Sequence, residues 1–152
     1  MMITMSKYKV ALFDVDGVLL KPPKFFSHSY AEERGLDKTK FDEFFGKHSD
    51  DVVRGKVDYK TLISANNDLW QWDKDPQDLL DIWFEFENHP NFPLLKIIKK
   101  LRSQGIPVYL ATNQEKNRGM YITEKLFPTI FDGAFISSTL GYGKQEPEFF
   151  RL

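Results

Sequence analysis

The stretch VALFDVDGVLL, residues 10–20, limits the fold of this chain more than any other segment. Val10 to Phe13 is a short continuous apolar run, closed by Asp14 and broken at Gly17, which is the pattern of a strand buried in a parallel sheet. Such a strand delivers Asp14 and Asp16 to its carboxyl end. Two carboxylates separated by one valine repel, and the repulsion opposes folding unless a cation, a hydrogen-bond network or solvent offsets it. The sequence therefore predicts that something at this strand end offsets the two charges, be it a cation, a hydrogen-bond network or solvent.

From about Lys21 to Asn88 the texture changes to aromatic-rich helical segments, punctuated by Arg34-Gly35, Phe45-Gly46 and Asp75-Pro76. No useful period-2 alternation interrupts them, so residues 21–89 are expected to form an all-helical insertion. A second α/β unit follows. Pro93 suits the first turn of a helix whose Leu94, Leu95, Ile98 and Leu101 share a face, with Gly105 as its stop. Lys96, Lys99, Lys100 and Arg102 fall on the other face and read as a solvated surface. Ile106 to Ala111 reads as a second buried strand ending at Thr112-Asn113. Helix-like residues Lys116 to Leu126 and a third strand around Ala134 to Ile136 come next. Strand, helix, strand, helix, strand is the alternation of a parallel α/β sheet, which collects ligands at the strands' carboxyl ends. Residues 1–20 with 90–152 would form this core.

At 152 residues the chain has material for one core with a smaller inserted subdomain. Lys and Arg number 21 against 22 Asp and Glu, so no global field points to nucleic acid or to an anionic membrane. There is no cysteine, which excludes thiolate chemistry and suits a reducing compartment. The opening MMITMSKYK has no apolar segment of signal-peptide length, and no run approaches the roughly 20 residues of a membrane span. A cytoplasmic protein acting on a small molecule is the expectation.

Three features now fall on one edge of one sheet: Asp14-Val15-Asp16-Gly17, Thr112-Asn113, and Lys144 in the loop beyond the third strand. Each alone has a bland reading, as an ordinary turn, a helix cap or a solvent-exposed lysine. Their joint order resembles the haloacid dehalogenase superfamily of phosphohydrolases and phosphomutases. The corresponding segments are FDVDGVLL, VYLATN and GYGKQEPEFF. The resemblance covers nearly the whole chain and implies a Rossmann-like parallel sheet with an inserted helical cap, in wording nearest the glucose-1-phosphate phosphatase-like members.

The chemistry implied is phosphoryl transfer, which needs an in-line nucleophile, neutralised equatorial oxygens and a proton for the leaving oxygen. Asp14 is the candidate nucleophile, forming an aspartyl-phosphate, and Asp16 the general acid and base. A Mg²⁺ ion would hold Asp14 and the phosphate together, and by the resemblance the backbone carbonyl of Asp16 too, making both residues metal ligands. Thr112 would offer its hydroxyl to the phosphate, Asn113 its backbone N–H, and Lys144 a fixed positive charge. Arg54 and Lys56, in the turn VVRGKVD, are candidates to reach a substrate's distal group.

Trp70, Trp72, Trp83 and the clustered Phe25, Phe26, Phe41, Phe44 and Phe45 read as the core of a small helical bundle. His28, His48 and His89 lack metal-ligand spacing.

Two departures from the family pattern stand out. Gln145 replaces the proline that normally follows the motif lysine, while Pro147 and Phe150 keep the later pattern. The sequence also ends at Leu152, before any counterpart of the family's fourth motif, and Glu146 and Glu148 lie too close to Lys144 to replace its acids. In the family that missing strand lies against the first, so Val10 to Phe13 is expected to expose an apolar edge that a homodimer or strand exchange could cover. The leading expectation is a Mg²⁺-dependent phosphatase of a small phosphorylated metabolite such as a sugar phosphate. The alternatives are a catalytically impaired fragment or interaction module, a phosphomutase, and an Asp-x-Asp glycosyltransferase.

Overall fold

A computed structural model describes residues 9–151; residues 1–8, most of the opening segment discussed above, and residue 152 lie outside it. The three apolar runs form strands β1 (Ala11–Phe13), β2 (Val108–Thr112) and β3 (Gly133–Ile136), all parallel and ordered β1-β2-β3. Ala11 pairs with Val108, Phe13 with Leu110 and Thr112 with Ile136, so Asp14, Asn113 and Ser137 leave the sheet at the same end. The fold is α/β with an open parallel sheet.

Helices α1 (Phe26–Arg34), α2 (Lys38–Val53), α3 (Tyr59–Ala65), α4 (Asn67–Trp70) and α5 (Pro76–Phe86) occupy the stretch between β1 and α6 (Phe92–Ser103). Their starts are written in short polar side chains. Asp37, Asp58 and Asp75 accept from the N–H groups of Thr39, Thr61 and Gln77, and Pro76 follows Asp75 in the first turn of α5. Gly35, in the left-handed region, returns its N–H to the end of α1. Phe45-Gly46 is no boundary: α2 runs straight through it, because Phe41, Phe44 and Val52 form a buried stripe that outweighs one glycine's propensity cost.

Beyond β2 come α7 (Lys116–Met120), which continues as a π-helical turn (Tyr121–Leu126), then β3, α8 (Ser137–Leu140) and a 3₁₀ turn (Pro147–Phe150). Two apolar clusters result. One gathers Phe26, Tyr30, Phe41, Phe44, Trp70, Leu79, Trp83 and Phe84 among α1–α5. The other packs Val15, Leu19, Leu20, Ile98, Val108, Leu110, Ile122 and Phe127 around the sheet. The two chain crossings between these clusters are stitched together: Lys21 N–H donates to His89 C=O, and Asn91 N–H to Leu19 C=O.

Val10 and Leu12 are 46% and 45% exposed, and β1 is hydrogen-bonded only to β2 among the described residues, in line with the exposed apolar edge expected of the first strand rather than with a fully buried one. Two further readings of the sequence change. Arg102 is not simply solvated: it donates to the carbonyls of Thr129 and Ile130 and pairs with Asp132 at 2.8 Å. Phe25 stands outside the aromatic core, 63% exposed. No helix among the described residues is long and apolar enough to cross a membrane.

Candidate active site

The loop after β1 is shaped by Val15. Its side chain is fully buried in the sheet cluster, and its carbonyl accepts from the N–H groups of Val18, Leu19 and Leu20. Gly17 makes this turn with φ +73°, a conformation that a side chain resists. With the valine directed inward, the flanking Asp14 and Asp16 carboxylates stay partly exposed.

Each aspartate has its own cation, which answers the charge problem posed by the sequence. Lys144 Nζ forms an ion pair with Asp14, whose other oxygen accepts the Val15 N–H at 2.8 Å. Lys144 is held in place by its own N–H, which donates to Asn113 Oδ1 at 2.8 Å. Asp16 Oδ1 accepts from Arg118 Nη2 at 2.7 Å and Oδ2 from Gln114 Nε2 at 2.5 Å. The Gln114 amide also lies 3.3 Å from Thr112 Oγ1, tying the loop after β1 to the end of β2. Arg118 spends its second arm on Glu87 Oε2, 2.7 Å away, and Glu87 is buried at the end of α5 with its other oxygen on the Phe26 N–H.

The structure thus brings Asp14, Asp16, Thr112, Asn113 and Lys144 to one sheet end. Arg54 and Lys56 are engaged by acids: Arg54 binds Asp50 and, at 2.9 Å, Glu146 in the loop that carries Lys144, while Lys56 pairs with Asp51. The Gly143 N–H and then Arg54 hold the Glu146 carboxyl below the usual range. Gln145, in the place of the expected proline, folds back over Gly143, where a Cβ would meet its amide at 2.4 Å.

Sequence reasoning missed Gln114, Glu115, Arg118 and Glu87. The three-residue spacing from Glu115 to Arg118 signals a helix start, and Glu115 does accept the Arg118 N–H at 3.0 Å. Nothing local signals Glu87, which lies 31 residues before Arg118.

A cavity of about 430 Å³ opens between the helices and the sheet end. Asp16, Gln114 and Arg118 line it from the sheet side, and Phe25, Phe45, Tyr59 and Trp83 from the helical side. Asp14, Thr112 and Lys144 are not among its lining residues. Burial, reinforced by the nearby Glu115 charge, pushes the Tyr59 phenol up, so it keeps its proton. Asp14 and Asp16 offer hard carboxylate oxygens, a donor set that suits Mg²⁺ in kind. Among the described residues no three acidic or histidine side chains are placed to hold a metal ion together. An ion held here would therefore complete its shell with water, backbone or phosphate oxygens, as Mg²⁺ commonly does.

A sequence family described as haloacid dehalogenase-like hydrolase matches residues 8–152. No curated protein matches the chain. Among solved structures, a HAD family enzyme from Bacteroides thetaiotaomicron superposes with a TM-score of 0.74 at 17% identity, over 94% of this chain and 75% of that one. Its wild-type complex with magnesium and inorganic phosphate gives 0.73 at 19% identity over the same shares. A predicted HAD-like family hydrolase from Porphyromonas gingivalis gives 0.68 at 16% identity, over 95% and 74%. At these identities the likeness is one of fold.

Proposed function

Because the chain belongs to the haloacid dehalogenase-like hydrolases, we propose that it is a Mg²⁺-dependent phosphomonoester hydrolase working through an aspartyl-phosphate. The observation that carries the reading is the division of labour between the two aspartates: Asp14 pairs with Lys144, while Asp16 faces the cavity. Phosphate bound beside Asp14 would take its charge neutralisation from Lys144, with the Thr112 hydroxyl and the Asn113 N–H as further donors. An Asp14 carboxylate oxygen attacks phosphorus, and the bond to the ester oxygen breaks. Asp16 gives that oxygen its proton, and the alcohol leaves through the cavity under the helices, which act as a cap. In the second half, Asp16 takes a proton from water, and the water oxygen bonds to phosphorus. The acyl-phosphate bond then breaks, releasing inorganic phosphate and restoring Asp14. A Mg²⁺ ion held by Asp14 and Asp16 would supply further positive charge to the phosphate oxygens. Support for that ion comes from the donor set and from the magnesium and phosphate complex of the Bacteroides thetaiotaomicron enzyme.

The test is phosphate release from an aryl phosphate with Mg²⁺, beside Asp14→Asn, Asp16→Asn and a chelator control. Turnover lost in all three controls is the expected result. Turnover that survives Asp14→Asn would overturn the assignment of the nucleophile. A folded chain with no turnover at all would overturn the hydrolase reading for this molecule.

A further inference from the structure

The cavity beside Asp16 has one wall built of rings. Phe45, Tyr59 and Trp83 touch one another, with centroid separations of 5.6 Å, 5.5 Å and 5.1 Å around the triangle, so they form a preassembled apolar wall. Phe25, 63% exposed, adds a fourth ring standing edge-on to His28. The charges in the lining run one way. Asp16, Asp42, Glu87 and Glu115 face a single guanidinium, that of Arg118, whose two arms are already taken by Asp16 and Glu87. His28 is paired with Asp42 at 2.9 Å. Arg54 and Lys56, the cations that the sequence offered for a distal anion, are paired with acids and are not among its lining residues. A second phosphate or a carboxylate entering here would lose water and gain no unpaired cation among the described residues. A flat ring would cover the aromatic wall at little conformational cost.

Resting on the phosphatase reading, we propose that the preferred substrate is the phosphate ester of an alcohol carrying a flat, uncharged aromatic ring. By the same chemistry a second anionic group is refused, and a polyol such as a sugar is a poorer fit.

Benzyl phosphate and glucose 6-phosphate are both esters of primary alcohols, so leaving-group acidity does not sort them and the cavity must. Calorimetric titration of Asp14→Asn protein in Mg²⁺ reads binding without turnover. Benzyl phosphate should bind about 10-fold or more tighter than glucose 6-phosphate. Para-carboxybenzyl phosphate should bind about 10-fold more weakly than para-carbamoylbenzyl phosphate, its uncharged counterpart of equal size. Equal affinities, or glucose 6-phosphate binding tightest, would overturn the proposal. The same four esters offered to the unsubstituted protein separate the two readings. Equal turnover of all four removes the ring preference and leaves the phosphatase standing; the binding order without any turnover does the reverse. Phe25→Ala, a change at an exposed ring, should narrow the benzyl-to-glucose ratio several-fold, and an unchanged ratio would count against seating the ring in this cavity.

Discussion

The two apolar clusters of this molecule are built from different material. The helical unit is held by interlocking rings: Trp70, fully buried, meets Phe41 at 5.0 Å, Phe44 at 5.6 Å and Tyr30 at 5.7 Å, and its carbonyl accepts the Tyr30 hydroxyl. The sheet unit is mainly aliphatic, with Phe127 its one buried aromatic member among the described residues, and one side of it ends at an exposed strand. Rings give a wall of fixed shape, which suits a cavity that sorts leaving groups. Short parallel strands give a row of loop ends, which suits converging charges on phosphate. The seam between the units combines polar contacts, Arg54 with Glu146, Arg118 with Glu87 and the Tyr59 N–H with Glu115, with one ring, Tyr121, that packs against both clusters. Two differently built cores therefore meet through a few ion pairs, a backbone hydrogen bond and one shared ring.

The sharpest way to break that comparison is to remove the central ring. Trp70→Ala should cost about 3–5 kcal/mol, because large-to-small changes at fully buried aromatic sites lose both transfer energy and packing. Urea unfolding, read by far-UV and near-UV circular dichroism, should show the aromatic signal collapsing before the remaining secondary structure. Leu110→Ala, the matching deletion in β2, should cost about 2–5 kcal/mol and give one shared transition. If Trp70→Ala cost less than Leu110→Ala and the two signals stayed coincident, the division into separately cored regions would be wrong.

The seam is tested next by Gly55→Ala. Gly55 has φ +70°, and a Cβ there would lie 2.1 Å from the Ser138 carbonyl oxygen, a backbone atom of α8 that cannot swing aside. Strain of this kind costs on the order of 1–3 kcal/mol. Relief by moving the Arg54–Lys56 turn away from α8 should appear as a lower melting temperature and faster proteolysis within that turn. Unchanged stability would mean that the helical unit does not rest on α8 through this glycine.

Acid should separate the regions more gently. The Val108 N–H and then Arg102 hold the Asp132 carboxyl below its ordinary value, and Glu146 is held low across the seam. A carboxyl whose folded pKa is depressed contributes stability that is present above its unfolded value. That stability is lost as the pH falls through the folded value, so the loss begins below about pH 4. Asp132→Asn should flatten the acid limb of a stability-against-pH curve, while Arg54→Ala should flatten it less, because the Gly143 N–H still holds Glu146 low. Curves that remain parallel to the unsubstituted protein would remove these groups as the cause.

How much of this was legible in the sequence depends on distance along the chain. The three strands were readable because each is a short apolar run, and Asp14 and Asp16 were readable because they follow one directly. Their partners divide by reach. Lys144 was found through the resemblance, whereas Arg118 was missed because its meaning depends on Glu87, brought close only when α5 and α7 pack. The aromatic residues were rightly assigned to a helical core in most cases, but period and composition carry no sign that Phe25 turns outward while Phe26 turns in. Gln145 shows the same limit, since its backward fold over Gly143 is a matter of conformation rather than of residue type.

The smallest expected effect concerns the exposed side of the sheet. Leu12 lies in β1, paired on one side with Tyr109 of β2, and its side chain is nearly half exposed. Leu12→Thr puts a β-branched residue in the strand and removes apolar surface from water, so the folding free energy should stay within about 0.5 kcal/mol of the original. Light scattering across a concentration series should show the same or less self-association, because an exposed apolar edge is a template for pairing. A loss of more than about 2 kcal/mol would mean that Leu12 is buried in solution, and that the sheet's aliphatic core extends past β1 to a surface covered by something else. That outcome would erase the contrast between a closed helical unit and an open sheet, and mass measurement at dilution would show whether a second copy of the chain is the cover.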